Sequence, residues 1–197
     1  MTTNDFEASF TVPRRVVTGH DARGVSVVLS DGPVPVRRYL PEDGVGFFEV
    51  WQTEDAPAPL HALEPSEPTE ATLRVPPNPR GTKIRVNEFH PGYLSPEGRQ
   101  SPVHRTESID YGVVLEGEIV LLLDDSEVTL RAGDIAIQRG TDHAWANRSD
   151  AVCRVAFILV GAQFTDELLE ILPPGTKEKL MQHGPKDGPA APEETNP

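Results

Sequence analysis

The chain has 197 residues, a formal charge of −13, 37% apolar residues, 16 Gly and 20 Pro. That acidity argues against a nucleic-acid groove or an anionic membrane surface as partner. The density of Gly and Pro excludes a helical bundle and favours many short strands joined by turns. Cys153 is the only cysteine, which rules out an internal disulfide and a cysteine-rich zinc site.

Residues 1 to 12 read as a loose arm. Their opening, "MTTNDFEASFTVPRR", has no apolar signal-peptide core, and no apolar run in the chain is long enough to span a bilayer. The expectation is a cytoplasmic protein without membrane partners. Two β-branched runs follow, Arg15–Thr18 and Val25–Ser30, around a polar Gly-containing turn, which is a hairpin signature. "VGFFEVWQT" (45–53) predicts a third strand, rich in aromatic residues. From Glu54 to Arg80 the chain turns to Pro, Glu and Ala, a composition that predicts an extended surface connection.

Beyond Gly81 strand-like runs come at short intervals: 83–89, 111–115, 119–124, 127–130, 134–138, 143–147 and 153–160. Seven short strands with a turn after each predict an all-β sandwich or barrel rather than βαβ units. Cys153 opens the last of them, as a small buried residue without reactivity. "FTDELLEILPPG" predicts one helix, with Thr165 as N-cap and Pro-Pro as its stop. The last twenty or so residues read as a disordered tail. The expected organisation is therefore 1–80 as arm, strands and connection packed on a barrel, 81–162 as the barrel, and 163–197 as helix and tail.

Two segments concentrate chemistry. "SPVHRTESIDYGVVLEGE" (101–118) holds His104, Thr106 and Asp110; "GDIAIQRGTDHAWAN" (133–147) holds Gln138, His143, Trp145 and Asn147. A hairpin and strand between them has the length to bring His143 back beside His104 and Asp110. Two imidazoles and a carboxylate can occupy three positions around one divalent transition metal (Fe, Mn, Zn, Ni or Co) and leave others open.

These segments resemble the two motifs of the cupin superfamily, G-x5-H-x-H-x(3,4)-E-x6-G and G-x5-P-x-G-x2-H-x3-N. His104, Asp110 and Gly117 fall on the first, with Thr106 in place of its second histidine and aspartate in place of glutamate. Gly133, Gly140, His143 and Asn147 fall on the second, with Gln138 in place of proline and a first gap one residue shorter. The resemblance, over about 81–162, implies a jelly-roll β-barrel with extra N-terminal strands, a short C-terminal helix, and a metal at the mouth held by His104, Asp110 and His143. Thr106 is expected to face the cavity without ligating.

Other residues are weighed by strand parity. Glu107 is expected on the face opposite His104, toward solvent or a dimer partner. Asn147 reads as a turn-stabilising hydrogen bonder, and His20, His61 and His183 as solvated. Trp145 fills the core or walls the cavity. Within "KIRVNEFHPG" one face must line the cavity: either Arg85, to grip a substrate carboxylate, or Glu88 and His90, as a general acid or base. Gln138 is a further candidate for proton movement or substrate contact.

The functional expectation is a metal-dependent enzyme acting on a small oxygenated organic acid or carbonyl compound, as a lyase, decarboxylase, dehydratase or isomerase. An Fe(II)-dependent dioxygenase is the alternative within enzymes, and a non-catalytic small-molecule-binding cupin the alternative outside them. A DNA-reading helical pair is missing from the pattern. The spare N-terminal strands predict a homodimer, with Val16–Thr18 and Val25–Leu29 at its interface.

Overall fold

The structure, a computed structural model, describes residues 3–62, 66–69 and 74–180. The parts of the Pro-rich connection at 63–65 and 70–73, and the tail at 181–197 with His183, lie outside the described residues.

Eleven strands run in chain order: β1 (Arg14–His20), β2 (Ser26–Pro33), β3 (Val36–Leu40), β4 (Val45–Thr53), β5 (Thr82–Phe89), β6 (Ser108–Glu116), β7 (Glu118–Leu122), β8 (Glu127–Arg131), β9 (Ile135–Arg139), β10 (Ala144–Ala146) and β11 (Cys153–Gly161). They form a six-stranded sheet in the order β3-β4-β5-β11-β6-β9, a three-stranded sheet β10-β7-β8, and the β1-β2 ribbon. All named strand pairs are antiparallel. This is the expected all-β jelly-roll barrel. The barrel sheet starts earlier than residue 81, because β3 and β4 pair onto β5 within it.

The two larger sheets face each other across one core. Val45, Phe89, Val114, Val155, Phe157 and Leu159 of the six-stranded sheet meet Ile119, Leu121, Leu130 and Trp145. Cys153 is fully buried there, and burial pushes its thiol up to about 12, so it is inert as expected. At Gly117 a positive φ of 74° turns β6 into β7, and a Cβ at that point would run into the Val152 carbonyl.

From Thr3 onward the N-terminal arm is ordered, contrary to expectation. Helix α1 (Thr3–Ala8) and the bend after it seat Phe6 and Phe10 against Val34, Phe48, Val86 and Ala156, on the outer face of the six-stranded sheet. A six-residue helix has no stability of its own, so the packing of Phe6 and of Phe10 just beyond it decides its conformation. At the other end, Thr165 caps α2 (Asp166–Ile171) by accepting from the Leu168 N–H at 3.3 Å, and the helix stops before Pro173.

The candidate cavity and its two imidazoles

The inner face of the six-stranded sheet surrounds a cavity of about 170 Å³. Strand β5 supplies Arg85, Asn87 and Phe89 to it, β6 supplies Asp110, β9 supplies Gln138, and the segments before β6 and β10 supply His104 and His143. Trp145, edge-on to Phe157 with centroids 5.2 Å apart, forms part of the wall.

His104 and His143 are brought together by backbone pairing. Each donates its N–H to the other's carbonyl at 3.0 Å, which sets the rings 4.2 Å apart between centroids. Nδ1 of His104 lies 3.0 Å from the Pro102 carbonyl, and Nδ1 of His143 lies 3.0 Å from the Thr141 carbonyl. A carbonyl only accepts, so each Nδ1 carries the proton and each Nε2 keeps a free lone pair. Burial lowers the pKa of both rings. His143, which also feels His104, is pushed down to about 3. Two neutral imidazoles with free Nε2 atoms are the form in which histidine binds a transition metal.

The carboxylate does not complete the expected three-ligand set. Ser108 Oγ donates to Asp110 Oδ1 at 2.6 Å and sits 2.8 Å from Thr106 Oγ1, whose hydroxyl points to Asp110 Oδ2 at 3.4 Å. Among the described residues no three His, Cys, Asp or Glu side chains converge closely enough to hold one ion. The donors present thus fit a metal at two positions, His104 and His143. Asp110 lines the same cavity as a separate acid, its pKa raised by burial and partly restored by the hydroxyls of Ser108 and Thr106. Thr106 itself is a residue behind the cavity wall, holding Asp110, not a lining residue as expected.

The parity of β5 is settled in favour of Arg85. Its guanidinium is nevertheless committed: Nη2 donates to Glu49 Oε1 and to the Arg74 carbonyl, each at 2.7 Å. Arg85 and Glu49 stand opposite each other in the β4–β5 register and are both buried, a cross-strand ion pair that offsets the Arg85 charge and occupies Nη2, while Nε stays without a partner.

Glu88 and His90 lie on the far side of the sheet and do not line the cavity, which removes them as acid–base candidates. Glu88 accepts the Thr11 N–H at 3.3 and 3.2 Å and meets His90 Nε2 at 3.0 Å and Arg154 Nε at 3.3 Å. Glu107 also avoids the cavity, accepting the Phe164 N–H at 2.8 Å. Asn147 bonds as expected for a turn: its Nδ2 donates to the Phe89 and Ala151 carbonyls at 2.8 and 2.7 Å.

Several lining residues carry no motif and were not singled out from sequence. They are Asn87, Leu40, Asp43, Gln100 and, from the end of the Pro-rich connection, Val75. Asn87 alone left a trace, as a polar residue of the same parity as Arg85 in "KIRVNEF".

Residues 93–160 match the cupin domain family. Phomopsin biosynthesis cluster protein C′ of Diaporthe leptostromiformis is 38% identical over 160 residues, covering 77% of this chain and 79% of its own length. The cupin-domain-containing oxidoreductase fogC of Aspergillus ruber is 38% identical over 137 residues, 68% of this chain and 63% of its own. Among solved structures, the cupin domain of Schizosaccharomyces pombe Cnp3 aligns at 14% identity over 86% of this chain and 96% of its own, with a TM-score of 0.44. With its two motifs, the matched domain and a relative alike over most of both chains, this protein belongs to the cupin superfamily.

Proposed function

We propose that this cupin is an enzyme that converts a small oxygenated organic compound inside the 170 Å³ cavity, with one divalent transition metal held by Nε2 of His104 and His143. The observation that carries the reading is the pair of neutral imidazoles, 4.2 Å apart, each with its Nδ1 tied to a backbone carbonyl. Bound there, the metal would supply Lewis-acid polarisation of a substrate oxygen. Asp110, with its raised pKa, is suited to hold or release a proton at a carboxylate oxygen while Ser108 and Thr106 fix its orientation. The aromatic walls would hold a substrate against that carboxylate. This favours non-redox carbonyl chemistry of the lyase, dehydratase or isomerase kind.

A second reading, oxidation with iron at the same imidazoles, is favoured by the name of the fogC relative as an oxidoreductase. Metal analysis of the protein purified without added metal tests the common core. One ion per chain, lost in His143→Ala, is the expected result; no ion after reconstitution with Fe, Mn, Zn, Ni or Co overturns the metal. Oxygen uptake by iron-loaded protein with substrate would select the second reading.

The exposed apolar side chains of the β1–β2 ribbon, Val16, Val25, Val28 and Leu29, support a homodimer through that ribbon. Light scattering should give twice the chain mass, falling to one with Val28→Lys. A monomer in the parent protein sinks the assembly.

A further inference from the structure

The polar groups facing the cavity divide into answered and unanswered. Arg85 Nη2 and Asp110 have partners, as described, and both imidazole Nδ1 atoms are tied to carbonyls. Gln138 is different. It is 4% exposed, yet neither its Oε1 nor its Nε2 has a hydrogen-bond partner. It lines the cavity directly opposite Asp110 in the β6–β9 register. Asn87, 7% exposed, faces the same cavity from β5 with its Oδ1 also unpartnered.

Leaving a donor and an acceptor unmade in an apolar surrounding is costly, and Met or Leu would fill the same volume without that cost. The arrangement makes sense if a ligand completes the amide. Such a ligand must present an acceptor and a donor side by side, since the two arms of a primary amide are adjacent. Its size is bounded too, because a cavity of about 150 Å³ lined by Leu, Ile and Phe takes benzene. The 170 Å³ found here, walled by Phe47, Phe89, Trp145 and Phe157, suits one ring with small substituents.

Charge decides the remaining feature. Arg85, the cation among the lining residues, has its charge offset by Glu49 at 2.7 Å although its Nε keeps no partner, and Asp43 and Asp110 are acidic. An anionic ring would meet two carboxylates and a single cation already paired with Glu49.

We propose that Gln138 is a specificity-determining residue, and that it recognises a neutral, one-ring-sized molecule bearing a carbonyl next to an N–H or O–H, with Asn87 Oδ1 accepting from a second donor. This deepens the reading of the cavity as the substrate site and is independent of the metal.

The test is calorimetric titration of the full chain, dialysed against chelator, with benzamide and with benzoate at pH 7. Benzamide should bind at least tenfold more tightly than benzoate. Gln138→Met should weaken benzamide at least tenfold while the melting temperature holds or rises, and Asn87→Ala should weaken it less. Equal or tighter benzoate binding, no benzamide binding, or unchanged affinity in Gln138→Met each overturns the proposal. A Gln138→Met protein that loses binding only together with a lowered melting temperature also overturns it, since the amide is then structural. Benzamide bound by a chain that takes up no metal would leave this inference standing and the metal reading fallen.

Discussion

The two faces of strand β5 bury polar residues in opposite ways. On the outer face, Glu88 is almost completely buried, with both oxygens facing the Thr11 N–H, one facing His90 Nε2 and the other in an ion pair with Arg154, whose Nε makes no hydrogen bond. Phe10 lies over His90 at 4.1 Å between ring centroids and closes the cluster from above. On the inner face, Arg85 keeps an unpartnered Nε and Asn87 an unpartnered Oδ1, and Gln138 across the sheet has neither arm of its amide satisfied. Buried groups that satisfy one another hold a structure together, whereas groups left short of partners need another reason to be there. The difference separates a structural lock from a cavity lining only one residue apart in sequence.

Substitutions on the outer face should change stability and spare ligand binding. Phe48→Ala, at a fully buried position under Phe10, is expected to cost about 3–5 kcal/mol in denaturant unfolding. Glu88→Ala removes the carboxylate that accepts from Thr11, meets His90 Nε2 and pairs with Arg154, and should cost about 1.5–3 kcal/mol. Benzamide affinity should stay the same in Glu88→Ala; a tenfold loss would return Glu88 to the site and erase the contrast between the faces.

A smaller effect of opposite sign is expected on the inner side. Burial pushes Lys83 down to about 8, although its Nζ donates to the Arg74 carbonyl at 2.6 Å. The charged form is therefore disfavoured in the fold relative to the unfolded chain. Its cost is full below pH 8 and disappears as pH rises through the unfolded pKa of about 10.4. Lys83→Met should thus stabilise the protein at pH 7 by on the order of 1 kcal/mol, net of the lost bond, with the gain fading toward pH 10. A variant less stable at pH 7 would show that the bond to Arg74 outweighs desolvation.

The sequence by itself determined the strand-rich class, the pairing of His104 with His143, the cap at Thr165 and the turns at Gly117 and Asn147. Each is carried by local spacing or by a residue type with one physical use, and these are legible without coordinates. Asp110 was legible as an acid of the site but not as one held away from the imidazoles, because that depends on hydroxyls of Ser108 and Thr106 reaching its oxygens. The helix α1 was invisible for a similar reason, since a six-residue segment is ordered by what it packs on and not by its own propensity. Only the tertiary structure decided which face of β5 lines the cavity. The strand is covered on both sides, by the opposite sheet and by the N-terminal segment, so Arg85 and Glu88 are equally buried and alternation carries no sign of inside or outside.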